Sequence, residues 1–410
     1  MNNMQSSALS GIRILDLSRI LAGPAAMQIL GDLGAEVIKI EQPGKGDDTR
    51  KWGPPFLKDE NGEDTSESAY YLSANRNKKS VAIDLTSPEG QELIHALLKK
   101  SDVMVHNFKV GGLEKYGLGY EQIKARHPHI IYCAISGFGQ SGPMASEPGY
   151  DFVAQGLSGL MACTGKDGEE PMKVGVALGD VMSGLYAAIG VLAALNARQS
   201  TGRGQMVDIS LLDCTLASLV NIAQYYLTSG TCAPRLGNAH STIVPYQVFE
   251  AADGYLIIAV GNDAQFARFC DIAGQPEWAS DIHFAKNENR VRNRDILVPL
   301  VADIIKQHSM SEWLEDLRTA GVPCAPVNSM DMTFDMEQIK AREMKIAMEH
   351  PLSTSQINLV GSPLKLSEDK VSYRHPPPVL GQHTDQVLSE LIKDMDAQKL
   401  TALRKGGVIG

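Results

Sequence analysis

The sequence runs Ile12-Arg-Ile-Leu-Asp-Leu17, then an apolar-periodic segment over residues 24–33, then Glu36-Val-Ile-Lys-Ile40. A strand-like run, a helical period and a second strand-like run in this order predict a βαβ unit. Pro24 suits the first turn of a helix, and Gly34 suits the left-handed residue that ends one. The start of the chain therefore predicts a parallel sheet with helices on its faces.

The same alternation continues through the first half of the chain. Strands are predicted over 80–85, 103–107, 130–136 and 205–210, and helices over 92–100, 180–199 and 211–228. After residue 246 the pattern changes to a hairpin signal at Ala252-Asp253-Gly254. We expect an α/β fold with three parts: a large Rossmann-like domain over 1–229, a smaller α/β domain over 230–327, and a segment over 328–410 that returns to the large domain.

Composition excludes several classes of protein. The 410 residues are 43% hydrophobic and 21% charged, which argues against disorder or a fibrous structure. With 38 basic and 48 acidic residues, the net charge of −10 disfavours binding to nucleic acid or to an anionic membrane surface. No apolar run reaches the ~18 residues of a membrane span, and the first ten residues resemble no secretion signal, so a cytoplasmic location is expected. The six cysteines form no CxxC and the ten histidines no HExxH, so no metal site is expected.

Two aspartates lie at predicted helix starts. Asp180 follows a glycine among small and apolar residues, and Asp151 follows Gly149-Tyr150. An aspartate in this position is either a helix cap or a carboxylate held for chemistry, and the residues alone leave both open. The stretch Gly137-Phe-Gly-Gln-Ser-Gly142 matches GxGxxG, but the prolines and glycines that follow predict a loop rather than the helix that a dinucleotide site needs.

Many motifs in order resemble the class III CoA-transferase family (CaiB/BaiF type), which includes formyl-CoA and carnitine CoA-transferases and acyl-CoA racemases. The resemblance covers nearly the whole chain. It is carried by Leu15-Asp-Leu-Ser-Arg-Ile-Leu-Ala-Gly-Pro24, Leu33-Gly-Ala-Glu-Val-Ile-Lys-Ile-Glu41, Asn75-Arg-Asn-Lys-Lys-Ser80, Asn107-Phe108, Gly137-Phe-Gly-Gln-Ser-Gly-Pro143, Gly149-Tyr-Asp151, Gly179-Asp180 and Thr201-Gly-Arg-Gly-Gln205.

The resemblance implies that Asp180 is the nucleophile of a CoA-transferase. Racemases carry a histidine where this chain has Tyr150, so Tyr150 and Asp151 fit the transferase branch and are expected to support the pocket. A closer likeness to succinate–hydroxymethylglutarate CoA-transferases lies in Gly46-Asp-Asp-Thr-Arg-Lys-Trp-Gly-Pro-Pro55 and Arg374-His-Pro-Pro-Pro378. It implies an acyl-CoA donor such as succinyl-CoA, a dicarboxylate acceptor, and no permanently bound cofactor.

The resemblance also implies residues that contact CoA, which are Ala22, Asn107, Phe108 and Lys115. Lys115 has the alternative of being a solvated helix lysine. Formyl-CoA transferases carry an arginine where this chain has Gln42, so Lys39 or Arg19 is expected to take over phosphate binding.

A dicarboxylate needs a second cation for its far carboxylate, and Arg76 or His240 is expected to supply it. Arg76 has two alternatives, which are CoA phosphate binding and a structural ion pair. Gly261 and Asn262 are the expected lid, and their N–H groups are candidates for stabilising an oxyanion. Family members form two interlocked rings, so a homodimer is expected.

Other functions stay open at this point. They are an acyl-CoA racemase or isomerase, a formyl-CoA or carnitine type of CoA-transferase, and a non-catalytic CoA-binding subunit. Tyr150 argues against racemisation, and the retained Asp180 argues against a subunit without activity.

Overall fold

The computed structural model describes residues 7–410 and shows a mixed α/β protein. Its strands are β1 (Arg13–Asp16), β2 (Glu36–Glu41), β3 (Phe56–Lys58), β4 (Asp64–Ser68), β5 (Lys78–Ala82), β6 (Val103–His106), β7 (Ile131–Ser136), β8 (Met206–Ser210), β9 (Tyr246–Glu250), β10 (Tyr255–Ala259), β11 (Cys324–Pro326), β12 (Lys345–Met348) and β13 (Ile357–Val360).

The α-helices of the same residues alternate with these strands through the first half of the chain. They are α1 (Ala22–Asp32), α2 (Ala69–Ser73), α3 (Pro88–Leu98), α4 (Tyr120–Arg126), α5 (Asp151–Leu157), α6 (Leu160–Cys163), α7 (Leu178–Thr201), α8 (Leu211–Ser218), α9 (Val220–Ser229), α10 (Asp263–Ile272), α11 (Asn287–Arg292), α12 (Arg294–Ile305), α13 (Met310–Thr319), α14 (Met330–Asp335), α15 (Glu337–Ala341), α16 (Thr384–Leu391) and α17 (Ala397–Lys405).

The central sheet has six parallel strands in the order β5-β2-β1-β6-β7-β8, which confirms the predicted parallel sheet. Alternate residues of each strand enter two different cores. Leu15 belongs to a core with α3, α16 and α17, and Ile14 belongs to a core with α1, α7 and α8. The chain order reverses direction between β1 and β6, and ligands of such sheets bind in the crevice at that point.

Local sequence signals account for several element ends. Helix α1 has Pro24 in its first turn and is followed by Gly34 at a φ of 109°. Ser87 caps α3 by accepting a hydrogen bond from the N–H of Gly90. The single helix predicted over 211–228 is wrong, because α8 ends before Leu219 and α9 begins at Val220, whose φ of 37° breaks the helical conformation.

The chain forms two compact units. The first unit contains the chain up to Leu160, Val174–Ala223 and Gln338–Gly410, and the second contains Met161–Lys173 and Gln224–Glu337. In the second unit, β9 and β10 form the predicted hairpin and β11 pairs with β10. Helices α10, α12 and α13 supply its hydrophobic core. The domain boundaries given above remain a prediction.

The C-terminal segment returns to the first unit beside the edge strand β5. The N–H of His383 donates to the carbonyl oxygen of Ser80 at 2.9 Å, and the N–H of Ala82 donates to Oγ1 of Thr384 at 3.0 Å. Val387 and Leu388 of α16 are buried in the core that contains Leu15. These contacts cover the edge strand, which would otherwise expose unpaired backbone groups.

Helix α7 is long and apolar enough to cross a membrane by length and composition alone. In this protein it packs on α1, and small residues at the contact permit close approach: a Cβ on Gly184 would lie 2.8 Å from the carbonyl oxygen of Ala22. We interpret α7 as a core helix of the first unit, because Ala187, Ala188 and Val191 are buried there.

Candidate functional site

A cavity of about 430 Å³ opens at the carboxyl ends of β1, β6 and β7, at the point where the strand order reverses. Asp180, in the first turn of α7, lies among its lining residues. The sequence-predicted residues that line the same cavity are Arg19, Ala22, Asn107, Phe108, Lys115, Tyr150 and Asp151. The structure therefore brings together eight of the thirteen predicted site residues, counting Asp180.

Asn107 holds the crevice between β1 and β6 together. Its Oδ1 accepts the N–H of Arg19 at 2.9 Å, and its Nδ2 donates to the carbonyl oxygen of Arg19 at 2.7 Å. This bidentate contact fixes the segment after β1 to the segment after β6. Asn107 thus shapes the cavity as well as lining it.

The Asp180 carboxyl group is largely buried, and within the described part of the chain no hydrogen bond offsets the solvation that it loses. Among residues 7–410 no donor contacts its side-chain oxygens, and the pKa of Asp180 is raised to about 7 by burial and then by the charge of Asp151. A raised pKa in a cleft marks a candidate functional group, and a poorly hydrated carboxylate is a good nucleophile once it is ionised.

Asp151 has the opposite environment. Its Oδ1 accepts the N–H of Gly179 at 2.7 Å and lies 3.3 Å from the backbone nitrogen of Asp180, while its Oδ2 accepts an amide proton of Gln155 at 2.7 Å. A Cβ on Gly179 would lie 2.9 Å from Oδ1 of Asp151 and 2.8 Å from Oγ1 of Thr215, so glycine permits this approach. Asp151 therefore caps the helix that carries Asp180.

The wall of the same cavity also contains basic side chains. Arg19 pairs with Asp48 at 2.7 Å and stacks 5.7 Å from the centre of the Phe108 ring, and its Nε has no partner within the described residues. Lys115 is exposed, and Lys109 lines the cavity beside it. Lys109 was not predicted from the sequence, although its position two residues after Asn107, at the end of a strand, is a usable signal.

Lys39 and Arg76 require a correction. The Lys39 side chain is fully buried and its Nζ pairs with Asp47 at 2.8 Å. Arg76 is buried, with Nη2 of its guanidinium 2.6 Å from a side-chain oxygen of Asp32. Neither residue lines the cavity, so the predictions of phosphate binding by Lys39 and of a substrate clamp at Arg76 are wrong for this geometry. Both side chains are structural cations.

Three predicted residues lie in the second unit. His240 accepts the N–H of Thr242 at its Nδ1, and Asn262 caps α10. The N–H of Gly261 donates to Oε1 of Gln265 at 2.7 Å, so this N–H is already satisfied within its own unit. Their proposed roles remain proposals.

Tyr70 is a further residue near Asp180 that was not predicted from the sequence. Burial raises the pKa of the Tyr70 phenol, and the charges of Asp180 and Asp151 raise it further. The phenol therefore lies near both carboxylates and keeps its proton. Its ring packs on Trp52 with the centroids 5.3 Å apart. No spacing in the sequence indicates this contact, because α2 and α7 are more than 100 residues apart.

Comparisons with known proteins agree on one family. A family model described as CoA-transferase family III matches residues 9–384. Succinyl-CoA:glutarate CoA-transferase of Homo sapiens is 43% identical over 409 residues, which is 100% of this chain and 91% of that protein. Succinate–glutarate CoA-transferase of Agrobacterium fabrum is 44% identical over 93% of this chain and 95% of that protein. The crystal structure of a CaiB/BaiF family protein from Brucella suis has a TM-score of 0.84 and 44% identity, and covers 94% of this chain and 100% of that one.

Proposed function

This chain belongs to CoA-transferase family III, and from that membership we propose that it transfers CoA from succinyl-CoA to glutarate. It is an enzyme of the CoA-transferase class. The observation that carries the proposal is Asp180, a carboxylate of raised pKa in a cavity at the switch point of the sheet. The names of two relatives above 40% identity support the acid pair.

The two cavities of the first unit suit a CoA thioester. A second cavity of about 200 Å³ adjoins the first through Arg19, Phe108 and Tyr116, and its apolar walls include Ile40 and Ile83. These apolar side chains offer contact surface to an adenine ring. We place the adenosine there, the phosphates near the cations of the cavity wall, and the thioester beside Asp180.

The reaction proceeds through two covalent species on Asp180. The carboxylate attacks the thioester carbonyl, the C–S bond breaks, and CoA leaves as the thiolate from a succinyl-aspartyl anhydride. The thiolate then attacks the aspartyl carbonyl and expels succinate, which leaves an aspartyl-CoA thioester. Glutarate reverses both steps and departs as glutaryl-CoA. No proton or electron is gained or lost overall, so Asp180 needs no acid or base partner.

We propose that residues of the second unit act on the acceptor acid and on the anhydride. His240 is the remaining candidate to bind the far carboxylate, because Arg76 is occupied by Asp32. Gly261 and Asn262 are proposed to close over the anhydride, and Gly261 would exchange its bond to Gln265 for one to an oxyanion. The interlocked homodimer and the cytoplasmic location are further parts of this proposal.

The transfer rate is expected to depend on pH through Asp180. Only the ionised carboxylate attacks, so kcat/KM for succinyl-CoA should fall about tenfold per pH unit below a midpoint near the pKa of about 7. The measurement is a rate profile between about pH 5 and about pH 9. A flat profile down to about pH 5 would contradict the raised pKa of Asp180.

The exposed lysines of the cavity are expected to act on CoA affinity alone. The double variant Lys109→Ala and Lys115→Ala should raise the KM for succinyl-CoA about tenfold and leave kcat within about twofold, because a phosphate contact is equal in ground and transition states. Lys124→Ala is the control, since Lys124 is exposed on α4 and does not line the cavity. A double variant with an unchanged KM would remove both lysines from the CoA site.

The direct test of the proposed function is chromatographic. Purified protein is incubated with succinyl-CoA and separately with glutarate, hydroxymethylglutarate, oxalate or carnitine, and new CoA esters are identified by mass. Glutaryl-CoA as the main product supports the proposal. If only carnitine or oxalate gives a new CoA ester, that acid replaces glutarate as the proposed acceptor. Intact succinyl-CoA with every acid would contradict the proposal.

A further inference from the structure

Gln155 is a fully buried side chain that bonds to both segments leading to Asp180. Its Oε1 accepts the N–H of Val174 at 2.9 Å. Its Nε2 donates to Oδ2 of Asp151 at 2.7 Å and lies 3.4 Å from the carbonyl oxygen of Val176. One amide group therefore fixes the segment of chain that enters α7 and the carboxylate that caps it.

The bonds around Gln155 leave Asp151 no free oxygen for a substrate. One oxygen of Asp151 faces the N–H groups of Gly179 and Asp180, and the other faces Gln155. Asp151 and Gln155 are one helical turn apart on α5, which places them on the same face. Because Asp151 accepts hydrogen bonds from the first turn of α7, a rotation of its carboxylate would break the bonds that hold the backbone of Gly179 and Asp180.

We infer that Gln155 is a positioning residue, which acts through Asp151 and the 174–176 segment to hold the Asp180 carboxylate in line with the thioester. The inference rests on the proposed role of Asp180 as nucleophile. Gln155 does not line the cavity, so it contacts neither CoA nor the acids in this arrangement. A misplacement of about 1 Å at a reacting group can cost about 100-fold in rate.

The orientation of the Gln155 amide is fixed by its partners. Val174 offers a donor and Asp151 an acceptor, so an amide with its oxygen toward Val174 satisfies both. Asp151→Asn would turn a donor toward the donor of Gln155. In the exchanged pair, Asp151→Asn with Gln155→Glu, the new carboxylate can accept from both the new side-chain amide and the N–H of Val174. The exchange therefore restores the bond between the two side chains that the single Asp151→Asn variant loses, and gives up only the longer bond from residue 155 to the carbonyl oxygen of Val176.

The titratable groups that face Asp180 are known within the described residues. They are Asp151 of α5 and Tyr70 of α2. Burial raises the pKa of the Tyr70 phenol and keeps it protonated, so Asp151 carries the charge that acts on Asp180. Removal of that charge by Asp151→Asn should lower the midpoint of the pH–rate profile by about one pH unit.

The test measures kcat, KM for succinyl-CoA, the pH–rate midpoint and the melting temperature. Gln155→Met should lower kcat about 10- to 100-fold and leave the KM for succinyl-CoA within about twofold. The exchanged pair should regain about tenfold in kcat over Asp151→Asn alone. Gln28→Met is the matched control, because Gln28 is another buried glutamine that bonds to two backbone groups, those of Ser73 and Arg76, away from the cavity.

Each outcome decides the inference. A Gln155→Met enzyme that only melts earlier, as Gln28→Met does, with wild-type kcat, would overturn it. If Gln155→Met does not fold, the exchanged pair decides, and an exchange no better than Asp151→Asn would overturn the inference. These results leave the proposed function intact as long as the wild-type protein makes glutaryl-CoA and Asp180→Asn does not. A wild-type protein without transfer would instead refute the proposed function.

Discussion

Asp180→Asn is expected to lower the transfer rate by about 10⁴-fold or more while CoA binding is retained. An amide is not a nucleophile toward a thioester. Of the other two carboxylates that line the cavity, Asp151 is occupied by backbone and amide donors, and Glu147 is exposed and therefore well hydrated. The measurement is the rate of glutaryl-CoA formation, with CoA affinity determined separately by calorimetry. Asp213→Asn is the control, since Asp213 is an exposed aspartate in the first turn of α8.

The same substitution is expected to stabilise the protein at high pH. The pKa of Asp180 is about 7 in the folded protein against an ordinary value of 3.8, so the folded state holds this proton more tightly than the unfolded state does. The Asp180 contribution to stability is therefore present at low pH and is lost as pH rises toward 7. At about pH 8 the free energy of unfolding of the Asn variant should be about 1 to 3 kcal/mol higher than that of the wild-type protein. An Asn variant with transfer near the wild-type rate would contradict the role of Asp180.

Arg76→Met is expected to lower the free energy of unfolding by about 3 to 5 kcal/mol. Its guanidinium makes two bonds to Asp32, at 3.0 and 2.6 Å, and one to the carbonyl oxygen of Val360 at 2.8 Å. Burial raises the pKa of Asp32, and the ion pair with Arg76 opposes that rise. Loss of the cation therefore leaves a buried carboxylate without a partner charge. Denaturant unfolding at neutral pH measures the effect.

Two controls separate this structural role from a role in substrate binding. Arg13→Met removes the partly exposed pair with Glu36 and should cost less than about 1 kcal/mol. The double variant Arg76→Met and Asp32→Asn should recover part of the lost stability, since no buried charge is left unpaired. The KM for glutarate should stay within about twofold of wild type. A large rise in that KM with unchanged stability would mean that Arg76 binds the acceptor acid and would contradict its structural role.

Periodicity and motifs predicted the parts of the molecule that depend on neighbours in the chain. The βαβ start and the hairpin near Gly254 follow from local patterns, and the structure has both. The break at Val220 was not predictable, because a β-branched residue at positive φ is held by its surroundings rather than by its own preference.

The family motifs indicated which residues line the cavity, but they did not show which basic side chains are held in buried ion pairs. Asp180 and Asn107 match family motifs and line the cavity. Lys39 and Arg76 match motifs equally well, but their partners Asp47 and Asp32 reach them only in the folded chain. A buried ion pair and a ligand cation have the same sequence signature, so burial must separate them. Gln155 carries no motif at all, and only its bonds reveal it.

The most direct test of Asp180 as the nucleophile follows one oxygen atom. The enzyme is mixed with an equimolar amount of succinyl-CoA and an excess of glutarate labelled with oxygen-18 in its carboxylates, so that each active site turns over once. The mass of the peptide that contains Asp180 is then measured by mass spectrometry. If glutarate attacks an aspartyl-CoA thioester and the thiolate then removes the glutaryl group, one labelled oxygen remains on the Asp180 carboxylate. We predict a peptide that is heavier by one oxygen-18 substitution. Efficient formation of glutaryl-CoA with no label on that peptide would mean direct transfer between the acids, and would contradict Asp180 as the nucleophile.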